Sequence, residues 1–317
     1  MSDIKNVLSL FDGISVAQQA LTELNINFEN YYASETDKYA IAITKYNFPN
    51  TIQLGDIRNI NIEELPKIDL IIGGFPCPSW SKAGLGKGFN DQRGQLFFDF
   101  VEIIKKVQPK YFIAENVNMK KEFCDQLNYY LGVKPILINS SLVSAQNRER
   151  NYWANFQISQ PVERGIVLNN ILEKGVISDR NKSYCIDANY FKGGNLSQYF
   201  HKKRRQIVFK CNHIGEADIK GIESLRRVYD PNGKCPTLTT SQGGHREPKV
   251  LVSETEWRKL TPLECERCQT LPDFYTKFGY ESKTNKFIKI SNTQRYKTLG
   301  NSFTKEVIIH ILKHIMV

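Results

Sequence analysis

In the first 156 residues short apolar runs alternate with amphipathic stretches, and that alternation restricts the fold more than any single motif. NVLSLF (6–11), YYASE (31–35), TIQLGD (51–56), DLIIGGF (69–75) and YFIAENV (111–117) have the length and composition of strands. Between them, SVAQQALTEL puts Val16, Ala17, Ala20, Leu21 and Leu24 on one helical face, and DKYAIAITKYN also reads as helix. GQLFFDFVEIIKKV spaces Leu96, Phe97, Phe100, Ile104 and Val107 as a third helix. Gln108-Pro109 ends it, because the residue before a proline is driven out of the helical region. The alternation predicts an α/β fold, a doubly wound and mostly parallel sheet covered on both faces. In such sheets ligands bind outside the carboxyl ends of the strands.

Beyond residue 157 the rhythm breaks. FKGGNLS, YDPNGKCP and SQGGHREP are dominated by turn formers, which points to a second, smaller, loop-rich domain. TKEVIIHILKHIMV returns to helix, with Val307, Ile308, Ile311 and Ile315 apolar, and is expected to pack back on the first domain. The division read from the chain is a first domain at 1–165 plus 291–317 and a second at 166–290.

Charge supports that division. Of the net charge of +10, residues 1–156 carry −1, residues 157–290 carry +8 and residues 291–317 carry +3. A basic segment beside a neutral one suits a polyanion partner. HKKRRQIVFK (201–210) is its densest point. The N-terminus lacks a signal-peptide pattern, no apolar run approaches a membrane span, and the 7 scattered cysteines suit a reducing compartment. Cytoplasmic location without membrane association is therefore expected. Cys265 and Cys268 form a lone CxxC without further ligands at zinc spacing. They are expected as a surface thiol and a core thiol on one helix, and no metal is expected.

Chemistry-bearing residues gather at strand ends. The first ends in LFDGIS, where Gly13 permits a tight turn; the second ends in Glu35 and the third in Asp56. A turn and two carboxylates suit a nucleoside, and the absence of a phosphate-cradling glycine loop suits one without phosphates. The fourth ends in GGFPCPSWS, with Cys77 held between Pro76 and Pro78, and the fifth ends in Glu115. Arg148 and Arg150, two apart in an extended stretch, can face one way. A thiol, a carboxyl group and a guanidinium in one cleft suit nucleophilic attack on a heterocycle.

These residues carry a resemblance. GGFPCPSWSKAGLGKGFNDQRGQLFFDF, AENVNM, AQNRER, RKLTPLECERCQTLPDFY and LGNSF resemble, in order, motifs of the cytosine-5 DNA methyltransferases. RRVYDPNGKCPTLTTSQGGHREP is similar to the target-recognition segment of bacterial and phage members. The resemblance implies an S-adenosyl-L-methionine-dependent enzyme that methylates carbon 5 of a flipped-out cytosine in double-stranded DNA and releases S-adenosyl-L-homocysteine. It implies Cys77 as nucleophile, with Glu115, Arg150, Pro76 and Arg148 around the base. It implies a cofactor site of Phe11, Asp12, Gly13, Ile14, Ser15, Glu35, Thr36, Asp56, Ile57, Phe75, Leu96, Asn301 and Ser302. DNA would be met by Lys82, Lys87 and Arg93 from a loop closing over the base, and by Lys202, Lys203, Arg204 and Arg205 on phosphates. Arg227, Thr237, Leu238 and Thr239 would read the sequence.

The chain departs from the family pattern at three places. Ser15 replaces the second glycine of the first motif, as is similar in animal de novo methyltransferases; Thr36 replaces a tryptophan, and Pro78 a glutamine. A transfer-RNA methyltransferase of the same fold and a non-catalytic DNA-binding homologue are the competing readings. The first normally carries a Cys-Phe-Thr signature, which is absent here. A monomer is expected, with a cognate restriction enzyme as a functional and not a physical partner.

Overall fold

The structure is a computed structural model. It describes residues 4–76, 92–173, 176–178, 180–188, 190, 208–210, 228–229, 249–250 and 260–316. The chain begins β1 (Asn6–Leu10), α1 (Val16–Glu23), β2 (Asn30–Ser34), α2 (Lys38–Asn47), β3 (Ile52–Gln53), β4 (Leu70–Gly74). It continues α3 (Gln92–Val107), β5 (Tyr111–Val117), α4 (Lys121–Leu131), β6 (Ile136–Asn139), β7 (Glu149–Ala154). These strands form a seven-stranded sheet in the order β3-β2-β1-β4-β5-β7-β6. All neighbours are parallel except β7, which runs antiparallel to both β5 and β6. The expected doubly wound sheet is present, and β6 and β7 extend it beyond the five strands legible in the sequence.

Apolar residues on successive strand positions supply both faces of the sheet. Along β4, Leu70 and Ile72 belong to one core cluster and Ile71 to the other; along β5, Ile113 belongs to the first and Phe112 and Ala114 to the second. A strand buried on both faces reads as a continuous apolar run, which is why DLIIGGF shows no alternation. The second cluster is closed by Phe97, Phe100 and Val101 of α3, with the Phe75 ring tilted against Phe97 at a centroid distance of 5.0 Å.

The first cluster is closed by the C-terminal part of the chain. Here lie α5 (Pro262–Cys268), the hairpin of β12 (Phe278–Glu281) and β13 (Lys286–Lys289), α6 (Asn292–Asn301) and α7 (Lys305–Lys313). The short pairs β8 (Val176–Ser178) with β9 (Val208–Lys210), and β10 (Val228–Tyr229) with β11 (Lys249–Val250), lie between. As expected, α7 packs back, and it does so on α1, with Lys305 paired to Glu23.

Residues 260–290, expected in the second domain, pack on the sheet-bearing body. Asn47 Nδ2 donates to the Tyr275 carbonyl at 3.1 Å, Tyr275 Oη donates to the Ile14 carbonyl at 2.8 Å, and a Cβ on Gly279 would lie 2.9 Å from Ala42 Cβ. Leu168, Ile171, Ile186 and Tyr190 also belong to the first cluster. One sequence expectation needs correcting: Cys265 and Cys268, expected as a surface and a core thiol, are both buried on α5. The helix has body on both sides, so its Glu264 and Glu266 are buried as well.

That burial is compensated. Glu266 is fully buried and accepts from Phe274 N and Thr276 N at 2.8 Å each, and from Arg295 Nη2 at 2.8 Å. Breaking a buried ion pair from one side costs about 3–5 kcal/mol, because the other charge is left unanswered. Glu266→Ala should therefore lower the urea unfolding free energy by about 3–5 kcal/mol. A loss below 1 kcal/mol would show that Arg295 finds another partner.

Candidate active site

The carboxyl ends of β1, β2, β4 and β5 open on one cavity of about 670 Å³, lined also by Arg148, Arg150, Gly300 and Asn301. On its first side is the turn after β1, where Phe11, Gly13 and Ser15 all take positive φ, at 57°, 62° and 55°. A left-handed backbone costs a non-glycine residue roughly 1–2 kcal/mol. Ser15 offsets this with its hydroxyl, which donates to the buried Asp12 carboxylate and accepts from Thr44 Oγ1 at 3.1 Å. Asp12 also accepts from Tyr31 Oη at 2.8 Å, and its backbone N–H donates to the Ser34 carbonyl. Burial pushes the Asp12 carboxyl above its ordinary range. The serine at the motif's second glycine position thus keeps the glycine-like conformation by side-chain bonding.

Glu35 faces that turn. Its Oε2 accepts from Gly13 N at 2.8 Å, and its Oε1 from Thr36 N at 2.7 Å and Asp37 N at 2.8 Å. Three N–H donors occupy three of about four carboxylate lone-pair sites. One site remains for a ligand hydroxyl. Burial pushes the Glu35 carboxyl up, and the backbone donors draw it only part of the way back. Asp56 lines the cavity too, but its carboxylate grips Arg58, with Oδ1 at 3.0 Å from Nε and Oδ2 at 2.5 Å from Nη2. The Arg58 bonds hold Asp56 down at about 2.

On the opposite side, Glu115 sits between Gly74 of β4 and Tyr152 of β7 in the sheet register. A Cβ on Gly74 would lie 2.9 Å from Glu115 Oε2 and 3.0 Å from the Phe303 ring, so glycine there leaves room for the carboxylate. Glu115 Oε1 meets Arg150 Nε at 3.0 Å, with both side chains largely buried. Burial would lower the Arg150 pKa, but neighbouring Cys185 and Glu115 outweigh it and leave the guanidinium above its ordinary value. Asn116 Nδ2 donates to the Phe75 carbonyl at 3.2 Å and so fixes the end of β4 beside Pro76.

Of the residues expected at the cofactor site, Phe11, Gly13, Glu35, Thr36, Asp56, Ile57, Phe75, Leu96 and Asn301 line this cavity. Asp12, Ile14, Ser15 and Ser302 do not line it; they are buried around it. Pro76, Glu115, Arg148 and Arg150 line it as well. Arg148 differs from Arg150 in what it binds. Its guanidinium donates to the carbonyls of Ile186 at 3.0 Å, Gly300 at 3.2 Å and Ser302 at 2.9 Å. It is a strap between chain segments and makes no ion pair with Glu115. Cys77, Lys82, Lys87, Lys202, Lys203, Arg204, Arg205, Arg227, Thr237, Leu238 and Thr239 lie outside the described residues, as does the side chain of Arg93. Sequence reasoning passed over Gly74 and Asn116, although both stand inside quoted motifs. It also passed over Cys185, which no motif marks.

The family model for C-5 cytosine-specific DNA methylase matches residues 5–317. The type II methyltransferase M.FnuDI of Fusobacterium nucleatum is 30% identical, over 98% of this chain and 93% of its own. The orphan methyltransferase M.SPRI of Bacillus phage SPR is 29% identical, over 98% and 97%. Among solved structures, the Entamoeba histolytica methyltransferase EhMeth superposes with a TM-score of 0.67 at 17% identity, over 99% of this chain and 98% of its own. A Spodoptera frugiperda DNMT2 variant gives 0.59 at 18%, over 99% and 100%. Those two likenesses concern the fold. The family match takes in the whole sheet, the cavity at its strand ends and the segments that close it, and the chain belongs to the C-5 cytosine-specific DNA methylase family.

Proposed function

We propose that this enzyme methylates carbon 5 of a flipped-out cytosine in double-stranded DNA, with Cys77 as a covalent nucleophile. The observation that carries the reading is the Glu115–Arg150 pair at 3.0 Å, in one cavity with Glu35 and with Pro76, the residue before Cys77. A base cannot be reached inside a duplex and must leave the stack. The Cys77 thiolate then adds to ring carbon 6. Glu115 contacts ring nitrogen 3 and the exocyclic amine, drawing electrons from the attacked bond, and Arg150 contacts the carbonyl oxygen. The addition makes carbon 5 nucleophilic. Loss of the carbon-5 proton after alkylation expels Cys77 and restores the aromatic ring.

The cavity's other half suits a nucleoside without phosphates. Glu35 keeps one acceptor site for a ribose hydroxyl, Phe11, Ile57, Phe75 and Leu96 supply apolar wall, and the turn at Gly13 is too short to cradle a phosphate chain. When bound there, S-adenosyl-L-methionine supplies the electrophilic methyl group. We place sequence recognition in the basic segment between Tyr190 and Leu260, since its flanks pack into the body.

Two results test the covalent step. Cys77→Ser should abolish methylation, measured with labelled cofactor on duplex DNA, while retaining DNA and cofactor binding; substantial turnover would remove Cys77 as the nucleophile. Duplex DNA with 5-fluorocytosine at the target should trap a denaturation-resistant adduct with the unmutated enzyme, because fluorine cannot leave as a cation.

Glu35→Gln should raise the dissociation constant of S-adenosyl-L-homocysteine by about ten- to a hundredfold, the worth of one hydrogen bond to a charged group. Because the Glu35 pKa is raised, the unmutated enzyme's affinity should fall on acidification at a higher pH than an ordinary glutamate would give. Calorimetry across pH checks both, and a flat profile would move the ribose contact elsewhere.

Neutralising Lys202 and Arg204 should weaken binding to all DNA sequences alike and flatten the salt dependence by about 0.9 per lost phosphate contact. An unaltered slope would take these side chains off the DNA.

A further inference from the structure

We propose that Cys185 is a positioning residue for Arg150, holding the guanidinium at the angle from which it meets the base. The inference rests on the reading of Arg150 given above. The Cys185 sulfur accepts from Arg150 Nη2 at 3.8 Å and from Arg148 Nη1 at 3.5 Å. It thus lies against both arginines of the Gln-x-Arg-x-Arg stretch.

The backbone around this thiol is fixed to the same stretch. Ser183 N donates to the Ala145 carbonyl at 2.7 Å, and Asn147 N donates to the Ser183 carbonyl at 2.9 Å. Ile186 N donates to Gln146 Oε1 at 3.2 Å, and the Ile186 carbonyl accepts from Arg148. Residues 183–186 therefore run stapled alongside 145–148, and Cys185 cannot drift from the arginines.

Arg150 needs such a partner. Its Nε is taken by Glu115 and its Nη1 by the Glu149 carbonyl at 2.8 Å, which leaves the Nη2 end to the sulfur. A single side-chain contact at Nε would let the guanidinium plane tilt. The neighbouring Arg148 charge adds a repulsion, which also contributes, after burial, to the lowered pKa of Arg148. A polarizable sulfur touching both cations offsets that repulsion where a hydrocarbon would not.

The test compares Cys185→Val, Cys185→Ala and Cys185→Ser in the full-length protein, beside Arg150→Ala. Methyl transfer to duplex DNA with a confirmed target site gives kcat and KM, and calorimetry gives affinity for S-adenosyl-L-homocysteine. Valine and alanine should each lower kcat about tenfold, the low end for a bond to a charged group. KM for DNA and cofactor affinity should stay within about twofold, since only transition-state contact is lost. Serine, which keeps an acceptor, should recover kcat to within about threefold. If valine lowers the melting temperature, the alanine–serine pair carries the comparison. Unimpaired kcat in alanine, or serine as slow as alanine, overturns the proposal. Should Arg150→Ala itself stay active, the reading of Arg150 fails instead; an inactive Arg150→Ala beside a fully active Cys185→Ala sinks the positioning role alone.

Discussion

A guanidinium buried without a carboxylate is costly unless its hydrogens are otherwise met. Arg148 meets this demand chiefly with main-chain carbonyls, those of Ile186, Gly300 and Ser302, and with the Cys185 sulfur. Two of these belong to the end of α6, where helical carbonyls lack partners and the helix dipole is negative. One cation thereby satisfies the end of a helix and ties together segments more than 100 residues apart in the chain, as the 152-residue span from Arg148 to Gly300 illustrates. Gln146 and Gln269 extend the tie, with Gln146 Nε2 at 2.9 Å from Gln269 Oε1 and Thr304 Oγ1 bonded to the same oxygen. Gly300 has no room for a side chain, since a Cβ there would lie 2.2 Å from the backbone of Asp187 and Ala188. The closeness of these segments is what sets the wall of the cavity.

Within that frame the two halves of the site depend on different physics. The Glu35 half is made of backbone donors converging on one carboxylate, so its geometry follows from the turn after β1. The Glu115 half is made of side chains on β5 and on the antiparallel β7, so its geometry follows from sheet register. Reversal of β7 sets Arg150 against Val117 in the register, near enough for its guanidinium to reach Glu115.

β1, β4 and β5 were legible because burial on both faces leaves apolar runs that need no partner to be recognised; β3 keeps only Ile52–Gln53 of its stretch, with Ile52 exposed. The four-residue β6 was not legible, since a strand that short acquires its identity from β7 beside it. One thiol of the Cys265–Cys268 pair was expected at the surface because a CxxC on a short helix gives no sign of what surrounds it. The burial of both depends on distant segments, since α6 packs on α5 and Gln146 bonds the Cys268 carbonyl. Asp12 and Ser15 stand in the motif that the cofactor would touch, and sequence alone could not separate a ligand contact from support beneath the turn. Positive φ at Ser15 makes that separation: the side chain points into the body and stabilises its own backbone. Cys185 carried no signal, because its significance lies in two arginines that are 35 and 37 residues away in the chain.

The docking of α7 on α1 has a consequence for synthesis. Lys305 and Glu23 are 282 residues apart, yet their helices close the same face of the sheet. As the chain emerges from its N-terminus, every strand of the central sheet is available once β7 is complete. One apolar face then waits for more than a hundred further residues before α5, α6 and α7 arrive to cover it. Exposed apolar surface of that kind makes a nascent intermediate prone to aggregate. The entropic cost of closing so long a loop grows only slowly with its length, so the delay is set by translation more than by chain search. Gly300 and Asn301 join the cavity in the same late interval, so an unfinished chain has no complete site.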